Sequence, residues 1–171
     1  VALFPNGDLA IAYTDGVDVF YALCTAADSL TGTPCSSATQ STLFAASNFQ
    51  YNPIGVAILG DGLPSIFYSG STAAGRVYAR HCSVADCSSI GAAVLIPGTY
   101  STNAQAFLQA RVTVSPLTGF AAVPIYHGNS DAASVLFCTN TDCSTASQFA
   151  PGFQENVGVN FSPTTGLPMV T

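Results

Sequence analysis

Apolar residues along this chain come in short runs, alternating with polar positions or rich in β-branched and aromatic side chains, and broken by turns bearing Gly, Asn, Asp or Ser. One such arrangement occurs three times and its opening a fourth. Each opening has an apolar stretch, a turn ending in glycine, and an apolar strand running toward an aromatic. It reads Val1-Ala-Leu-Phe-Pro-Asn-Gly7-Asp-Leu-Ala-Ile-Ala-Tyr13, then Val56-Ala-Ile-Leu-Gly-Asp-Gly62-Leu-Pro-Ser-Ile-Phe-Tyr68. The third copy, Val112 to Tyr126 with its turn at Thr118-Gly119, has one more residue between that glycine and its tyrosine, which predicts a β-bulge. The fourth runs from Val159 through Gly166-Leu167-Pro168 to Thr171. After each full opening a further strand runs into a cysteine, at Val17–Cys24, Arg76–Cys82 and Ala133–Cys138, and a second cysteine followed by serine comes next, at Cys35, Cys87 and Cys143.

The turn glycines lie 55, 57 and 47 residues apart, so one supersecondary unit recurs about every 55 residues. Strands are expected near 1–5, 8–14, 17–24, 56–60, 63–69, 76–82, 92–96, 112–115, 120–127, 133–138 and 159–170. No stretch carries a sustained helical stripe. Asn103–Arg111 has helix-favouring Ala, Leu and Gln, but its counterparts lead directly into the next unit, so it is read as a strand. Four short antiparallel strands per unit is the size of a propeller blade. The expected fold is all-β and β-propeller-like, with antiparallel four-stranded blades at 1–55, 56–111 and 112–158, each with a local disulfide, and the first half of a fourth blade at 159–171.

The unit resembles a repeat of secreted and surface β-propeller proteins in which Gly-Leu-Pro, an apolar strand ending in Tyr, and a C-x4-C pair recur. The likeness is clearest at Gly62-Leu63-Pro64, Tyr68, Cys82 and Cys87, and returns at Gly166-Leu167-Pro168. Unit one has Gly7-Asp8-Leu9 and ten residues between its cysteines, and unit three lacks the Leu-Pro pair. The resemblance implies an extracellular propeller segment.

Composition narrows the function classes. Of 171 residues, 49% are hydrophobic and 7% charged, against about 25% charged in an average domain. Seven tyrosines and eleven phenylalanines give ample surface to bury, which excludes a disordered chain. No apolar run approaches the roughly 20 residues of a membrane-spanning helix. Net charge is -6 and the only fixed cations are Arg76, Arg80 and Arg111, so neither nucleic acid nor an anionic membrane is an expected partner.

The six cysteines fall as three local pairs, Cys24 with Cys35, Cys82 with Cys87 and Cys138 with Cys143, each suited to a disulfide across a turn. Zinc is the competing reading, with His81 beside Cys82, but equivalent loops of separate units are too far apart for one tetrahedral site. Disulfides imply an oxidising compartment, and the expected address is extracellular or at the cell surface. Asn160-Phe161-Ser162 is a candidate N-glycosylation sequon. No signal peptide is present and the chain starts in mid-motif, as a mature product or an excerpt would.

Candidate chemistry is sparse. Glu155 is the only glutamate, and Asp8, Asp15, Asp18, Asp61, Asp86, Asp131 and Asp142 sit in turns, where aspartate normally binds nearby backbone N–H groups. Asp15-Gly16-Val17-Asp18 is read as a hairpin turn rather than a calcium loop. His81 and His127 are read as structural. Tyr13, Tyr68 and Tyr126 are expected to recur in register and to pack between units, a ring of sugar-stacking platforms being the functional alternative. Partner or glycan contacts are assigned to the non-repeating loop residues Phe49, Tyr51, Tyr100 and Phe153. The expected role is a non-catalytic structural or adhesive module with no cofactor, its partners being other blades of the same chain or head-to-tail copies of itself. The alternatives are a glycan-binding propeller and part of a secreted hydrolase or lyase.

Overall fold

The structure is a computed structural model and describes residues 1–26, 35, 39–45, 54–69, 76–98, 106–108, 111–127, 132–150 and 157–170. Fifteen strands lie among these residues, all paired antiparallel. The first sheet takes β1 (Ala2–Leu3), β2 (Leu9–Thr14), β3 (Asp18–Cys24) and β4 (Thr39–Ala45) in chain order. The second repeats it with β5 (Ile54–Ile58), β6 (Pro64–Ser69), β7 (Val77–His81) and β8 (Val94–Leu95). The third has β9 (Ala106–Leu108), β10 (Thr113–Val114), β11 (Ala121–His127), β12 (Ala132–Cys138) and β13 (Ala146–Phe149), with β9 and β10 along the same edge of β11. The last is the hairpin of β14 (Val159–Phe161) and β15 (Pro168–Val170).

The all-β class and the antiparallel four-stranded units follow the repeat. Differences lie at the edges. β4 and β13 are additional to the expected strands; both are polar outer strands with weak alternation, ordered by pairing to the apolar strand beside them. The stretch 159–170 is two strands around a turn. Ile54 and Gly55 already pair in the second sheet, and 106–108, within the segment read as a strand, pairs in the third.

Each unit opens with a hairpin whose glycine has positive φ, a conformation that costs other residues (Gly7 91°, Gly62 80°, Gly119 71°, Gly166 63°). The Gly62 N–H donates to the Leu59 carbonyl, whereas the Gly119 N–H donates one residue further back, to Ser115. Unit three therefore holds one extra residue in its turn, ahead of Gly119. The expected bulge before Tyr126 is absent: β11 pairs with β12 without a break from Ala122↔Phe137 to His127↔Ala132. Residues equivalent by register are then Ile11, Ile66 and Val123, and next Tyr13, Tyr68 and Ile125. Tyr126 lies one position beyond the other two tyrosines and points to the opposite face, because side chains alternate along a strand.

A real irregularity is found on the other edge of β11. Leu108 faces Ile125 and Thr113 faces Ala122, pairings that are five positions apart in sequence on one side and three on β11. The Phe120 carbonyl accepts from Ser115, which by alternation directs the backbone of Ala122 and Pro124 to the same edge. Pro124 has no N–H to offer the ladder, and the ladder is interrupted opposite it.

The sheets pack face to face. Each has a leading face toward the next unit and a trailing face toward the one before. Phe67, Val77 and Ala79 of unit two meet Val112, Val123, Ile125 and Leu136 of unit three in one buried cluster. Ala10, Val19 and Tyr21 of unit one meet Val56, Ile66, Tyr68 and Cys82 of unit two in another. Ala122, Ala133 and Val135 meet Val159, with Phe161 and Val170 packed alongside, in the third. Burying each such large apolar side chain contributes about 1.5–3 kcal/mol, so these faces dominate stability. The first strands β1, β5, β10 and β14 stand side by side.

All three disulfides are formed as expected, Cys24–Cys35, Cys82–Cys87 and Cys138–Cys143. Their buried sulfurs do more than staple a loop: Cys82 and Cys87 lie in the core between units one and two, and Cys138 and Cys143 in that between two and three. The Asp-Cys-Ser spelling of the last two pairs has a local cause. The second cysteine has positive φ (52° and 57°), and the aspartate before it accepts from the N–H of the serine after it, at 3.0 Å in both loops.

Successive opening turns also touch. The Gly60 N–H donates to the Gly119 carbonyl at 2.9 Å, and a Cβ on Gly119 would stand 2.3 Å from the Gly60 Cα. A Cβ on Gly62 meets nothing within 4 Å. We predict that Gly62→Ala costs about 1–2 kcal/mol, from positive φ alone. Gly119→Ala adds a backbone clash, for a total of about 2–5 kcal/mol. Urea unfolding of the two oxidised variants checks the order; equal losses would show that the turn-to-turn contact contributes nothing.

Candidate functional site

The most chemically suggestive constellation is in unit two. Ser65 on β6 lies directly opposite His81 on β7, and the turn holding Asp61 immediately precedes β6. Ser65 Oγ is 2.7 Å from His81 Nδ1, and His81 Nε2 is 2.8 Å from Asp61 Oδ2. With the imidazole neutral, the Ser65 hydroxyl donates to Nδ1 and Nε2–H donates to the carboxylate. Hydroxyl, imidazole and carboxylate thus lie in the order of an acid–base relay. Access does not suit a nucleophile: Ser65 is 1% exposed and the carboxylate is on the solvent side, whereas a nucleophile must be the reachable end. The line instead satisfies a buried hydroxyl and ties the opening turn to β7. The equivalent pairs, Ala10 with Leu23 and Ala122 with Phe137, are apolar, so the repeat does not need it.

His127, at the end of β11, is the second buried polar centre. Ser134 Oγ lies 3.0 Å from His127 Nε2 and accepts from Gln148 Nε2 at 3.0 Å, which leaves the serine proton for the imidazole. Burial holds this imidazole below its ordinary value of 6.5, in keeping with the neutral, accepting form.

A groove of about 500 Å³ runs where the four first strands meet, with Ala2, Ala57, Thr113 and Asn160 at corresponding positions along it. Its walls are otherwise mostly apolar, and Arg111 is the one cation that lines it. The hydroxyl of Thr113 is buried without a hydrogen-bond partner.

The tyrosines divide. Tyr68 is buried between units one and two, its ring 5.0 Å from Phe44 and 5.7 Å from Tyr78, while the Arg80 guanidinium lies 4.2 Å over the Phe44 ring. This is the inter-unit packing expected of it. Tyr13 stacks instead on Phe20 of its own sheet, at 5.1 Å, on the trailing face of unit one. In unit three the matching site holds Ile125. A further inter-unit tie that no repeat announces is Tyr21, whose hydroxyl donates to the Ala85 carbonyl in the next unit's cysteine loop at 2.7 Å, with burial pushing its phenol well up.

Asp15, Asp61, Asp86 and Asp142 bind nearby backbone as expected, whereas Asp18 opens strand β3 and Asp8 reaches the more distant Ala26. Asp15 Oδ1 accepts from the N–H groups of Val17 and Asp18, Asp61 Oδ1 from Leu63, and Asp8 Oδ1 from Ala26. These backbone bonds hold Asp15 below the usual carboxylate range, and those from serine do the same for Asp86 and Asp142. All six cysteines are consumed as disulfides, which leaves no thiolate for zinc. Among the described residues no group of three or more His, Cys, Asp or Glu is placed to hold a metal ion. Asn160 is exposed on β14. Phe49, Tyr51, Tyr100 and Phe153, together with Asp131 and Glu155, lie outside the described residues.

No protein-family model matches the chain, and no curated protein matches it significantly.

The His127 site yields a pH dependence. As pH falls through 6.5 the unfolded chain takes up a proton here while the folded chain, with its lowered value, does not. The stability this residue contributes is therefore complete above 6.5 and lost as pH approaches the lower folded value. We predict that His127→Gln flattens the decline in unfolding free energy between about pH 7 and about pH 5 relative to wild type. In an NMR titration the His127 ring should turn over below 6.5; a midpoint at or above that value would contradict the assignment.

Proposed function

We propose that the chain is a non-catalytic extracellular module, a disulfide-stabilised β-propeller segment with a structural or adhesive role at a cell surface or in a filamentous assembly. One observation supports this most: the same repeat positions pack unit against unit at three successive interfaces, with the first strands side by side about a common groove. Sheets related in that way are the blades of a propeller, with β1, β5, β10 and β14 as its inner strands. The resemblance of Gly-Leu-Pro, Tyr68 and the C-x4-C pairs to secreted propeller repeats agrees with it.

The extracellular address is supported by the disulfides, since three bridges suit an oxidising compartment. By loop entropy each contributes roughly 2–3 kcal/mol. The sealed Ser65 hydroxyl is the reason for assigning no catalysis to the one relay-like cluster.

Two measurements test the reading. Protein taken from its native source should be found outside the cell or on intact cells by surface labelling, with all six cysteines refractory to iodoacetamide until reduced. A fluorophosphonate probe should leave Ser65 unlabelled. A thiol-reactive protein confined to the cell interior, or Ser65-dependent probe labelling lost in Ser65→Ala, would overturn the proposal.

A further inference from the structure

Unit two is covered on both faces, by unit one and by unit three, so its two contacts can be compared position against position. Register makes Tyr21 equivalent to Ala79 and Leu23 equivalent to His81. At the first contact Tyr21 crosses to unit two, where its hydroxyl donates to the Ala85 carbonyl in the cysteine loop at 2.7 Å. At the second contact the counterpart of Ala85 is Thr141, which precedes Cys143 by two residues as Ala85 precedes Cys87. Ala79 ends at its Cβ and cannot make the same crossing. Thr141 instead lines a cavity of about 250 Å³ between the opening turns of units two and three. Asp61 of one turn and Pro116, Leu117, Gly119 and Phe120 of the other are among its walls. All of these residues belong to turns and loops, so the cavity opens on the rim of the molecule and not on a sheet face.

The line from Ser65 through His81 to Asp61 ends in this cavity. Asp61 Oδ1 accepts from the Leu63 N–H at 3.0 Å and Oδ2 from His81 Nε2 at 2.8 Å. Both oxygens are thereby held in place, and each keeps capacity for a further hydrogen bond. With Nδ1 accepting from Ser65 the imidazole is neutral, and the carboxylate keeps its full charge. No arginine or lysine meets it among the described residues. Arg76 stands before the start of β7, at the opposite end of that strand from His81. The Arg80 guanidinium lies over Phe44, Arg111 lines the central groove, and the chain has no lysine. At the first contact Asn6 and Leu23 stand where Asp61 and His81 stand here, so the carboxylate and the imidazole that holds it occur together with the cavity.

We propose that this cavity is a binding site for a primary ammonium group on an aliphatic stem, the chemistry of a lysine side chain or a small alkylamine. Asp61 accepts from the ammonium, and Pro116, Leu117 and Phe120 pack along the stem. Charge decides the class: a neutral ligand leaves the carboxylate unmatched, and an anion is repelled by it. Size agrees, because pockets for drug-sized ligands span about 300–1,000 Å³ and this smaller one suits a single side chain. The inference goes beyond the modular reading above and stands or falls independently of it.

The test titrates the oxidised chain with N-acetyl-lysine methylamide and follows the backbone amides by NMR. Thr141, Gly119 and Phe120 should shift with saturation. N-acetyl-norleucine methylamide, which has the stem without the charge, should bind more than about tenfold more weakly. Asp61→Asn keeps side-chain acceptors for the Leu63 N–H and for His81, and should weaken the lysine derivative by a similar factor. Thr141→Phe fills the cavity from the cysteine-loop side without touching the carboxylate, and should block binding as well. The comparison of the two derivatives on unmutated protein holds even if a variant fails to fold. A parallel titration with n-butylamine separates the sources: equal or tighter binding than the lysine derivative assigns the site to free amines, weaker binding to a lysine of a partner protein. Absence of saturable shifts, equal binding of the norleucine derivative, undiminished binding in a folded Asp61→Asn, or tighter binding of methyl glucoside would overturn the site. Each of those results leaves the surface-labelling and iodoacetamide tests of the modular reading untouched.

Discussion

The constraint behind this structure is that a four-stranded sheet with two apolar faces cannot bury either of them by itself. Ile66 and Tyr68 look one way from β6 while Phe67 looks the other, and both sides are sealed. Each unit needs a neighbour on both faces, so the repeat is the means of forming a core. The disulfides belong to that constraint. The sulfurs of Cys82–Cys87 and Cys138–Cys143 fill the trailing end of two interfaces, so the covalent link that closes a loop also shapes the surface on which the preceding unit rests.

Two-sided burial also accounts for the low charge. A sheet covered on both faces has little room for ionised side chains on its strands, and two of the polar clusters found there are internally satisfied, although the Thr113 hydroxyl is not. Ser65 reaches His81, and Ser134 reaches His127 and Gln148. Such links meet the penalty that an unpartnered buried hydroxyl would impose, about 1–3 kcal/mol. The carboxylates are left to the turns, where backbone N–H groups bind them and replace much of the water they lose. Hydroxyl, imidazole and carboxylate in one line therefore arise here from polar satisfaction at an interface, with the hydroxyl on the buried side.

Close approach is the complement of face-to-face packing. The opening turns of units two and three meet backbone to backbone at Gly60 and Gly119, which only glycine permits at 2.3 Å from Cβ to Cα. The first strands draw together below these turns and carry small side chains at matching points, Ala2, Ala57 and Thr113. A groove with mostly apolar walls and one arginine is what remains between them, and its width is set by those residues.

Much of this architecture was legible in the chain itself, because its causes are local or periodic. Glycine at fixed intervals reports turns that need positive φ, alternation reports sheet faces, and cysteines five or eleven residues apart admit only short bridges. The serine after the second cysteine marked two of these loops for the same reason: the hydrogen bond from its N–H spans two residues. Three things were decided only when the strands met. The register made Ile125, and not Tyr126, the counterpart of Tyr68, because unit three has two extra residues before its tyrosine and its turn absorbs only one. Pairing across β6 and β7 brought Ser65 to His81, which lie 16 residues apart and have no polar counterpart in the other units. Finally, exposure distinguished Tyr13 from Tyr68, two residues at the same place in the repeat. Their difference lies wholly in whether another sheet covers them, and that is a property of neighbours in space which no local pattern encodes.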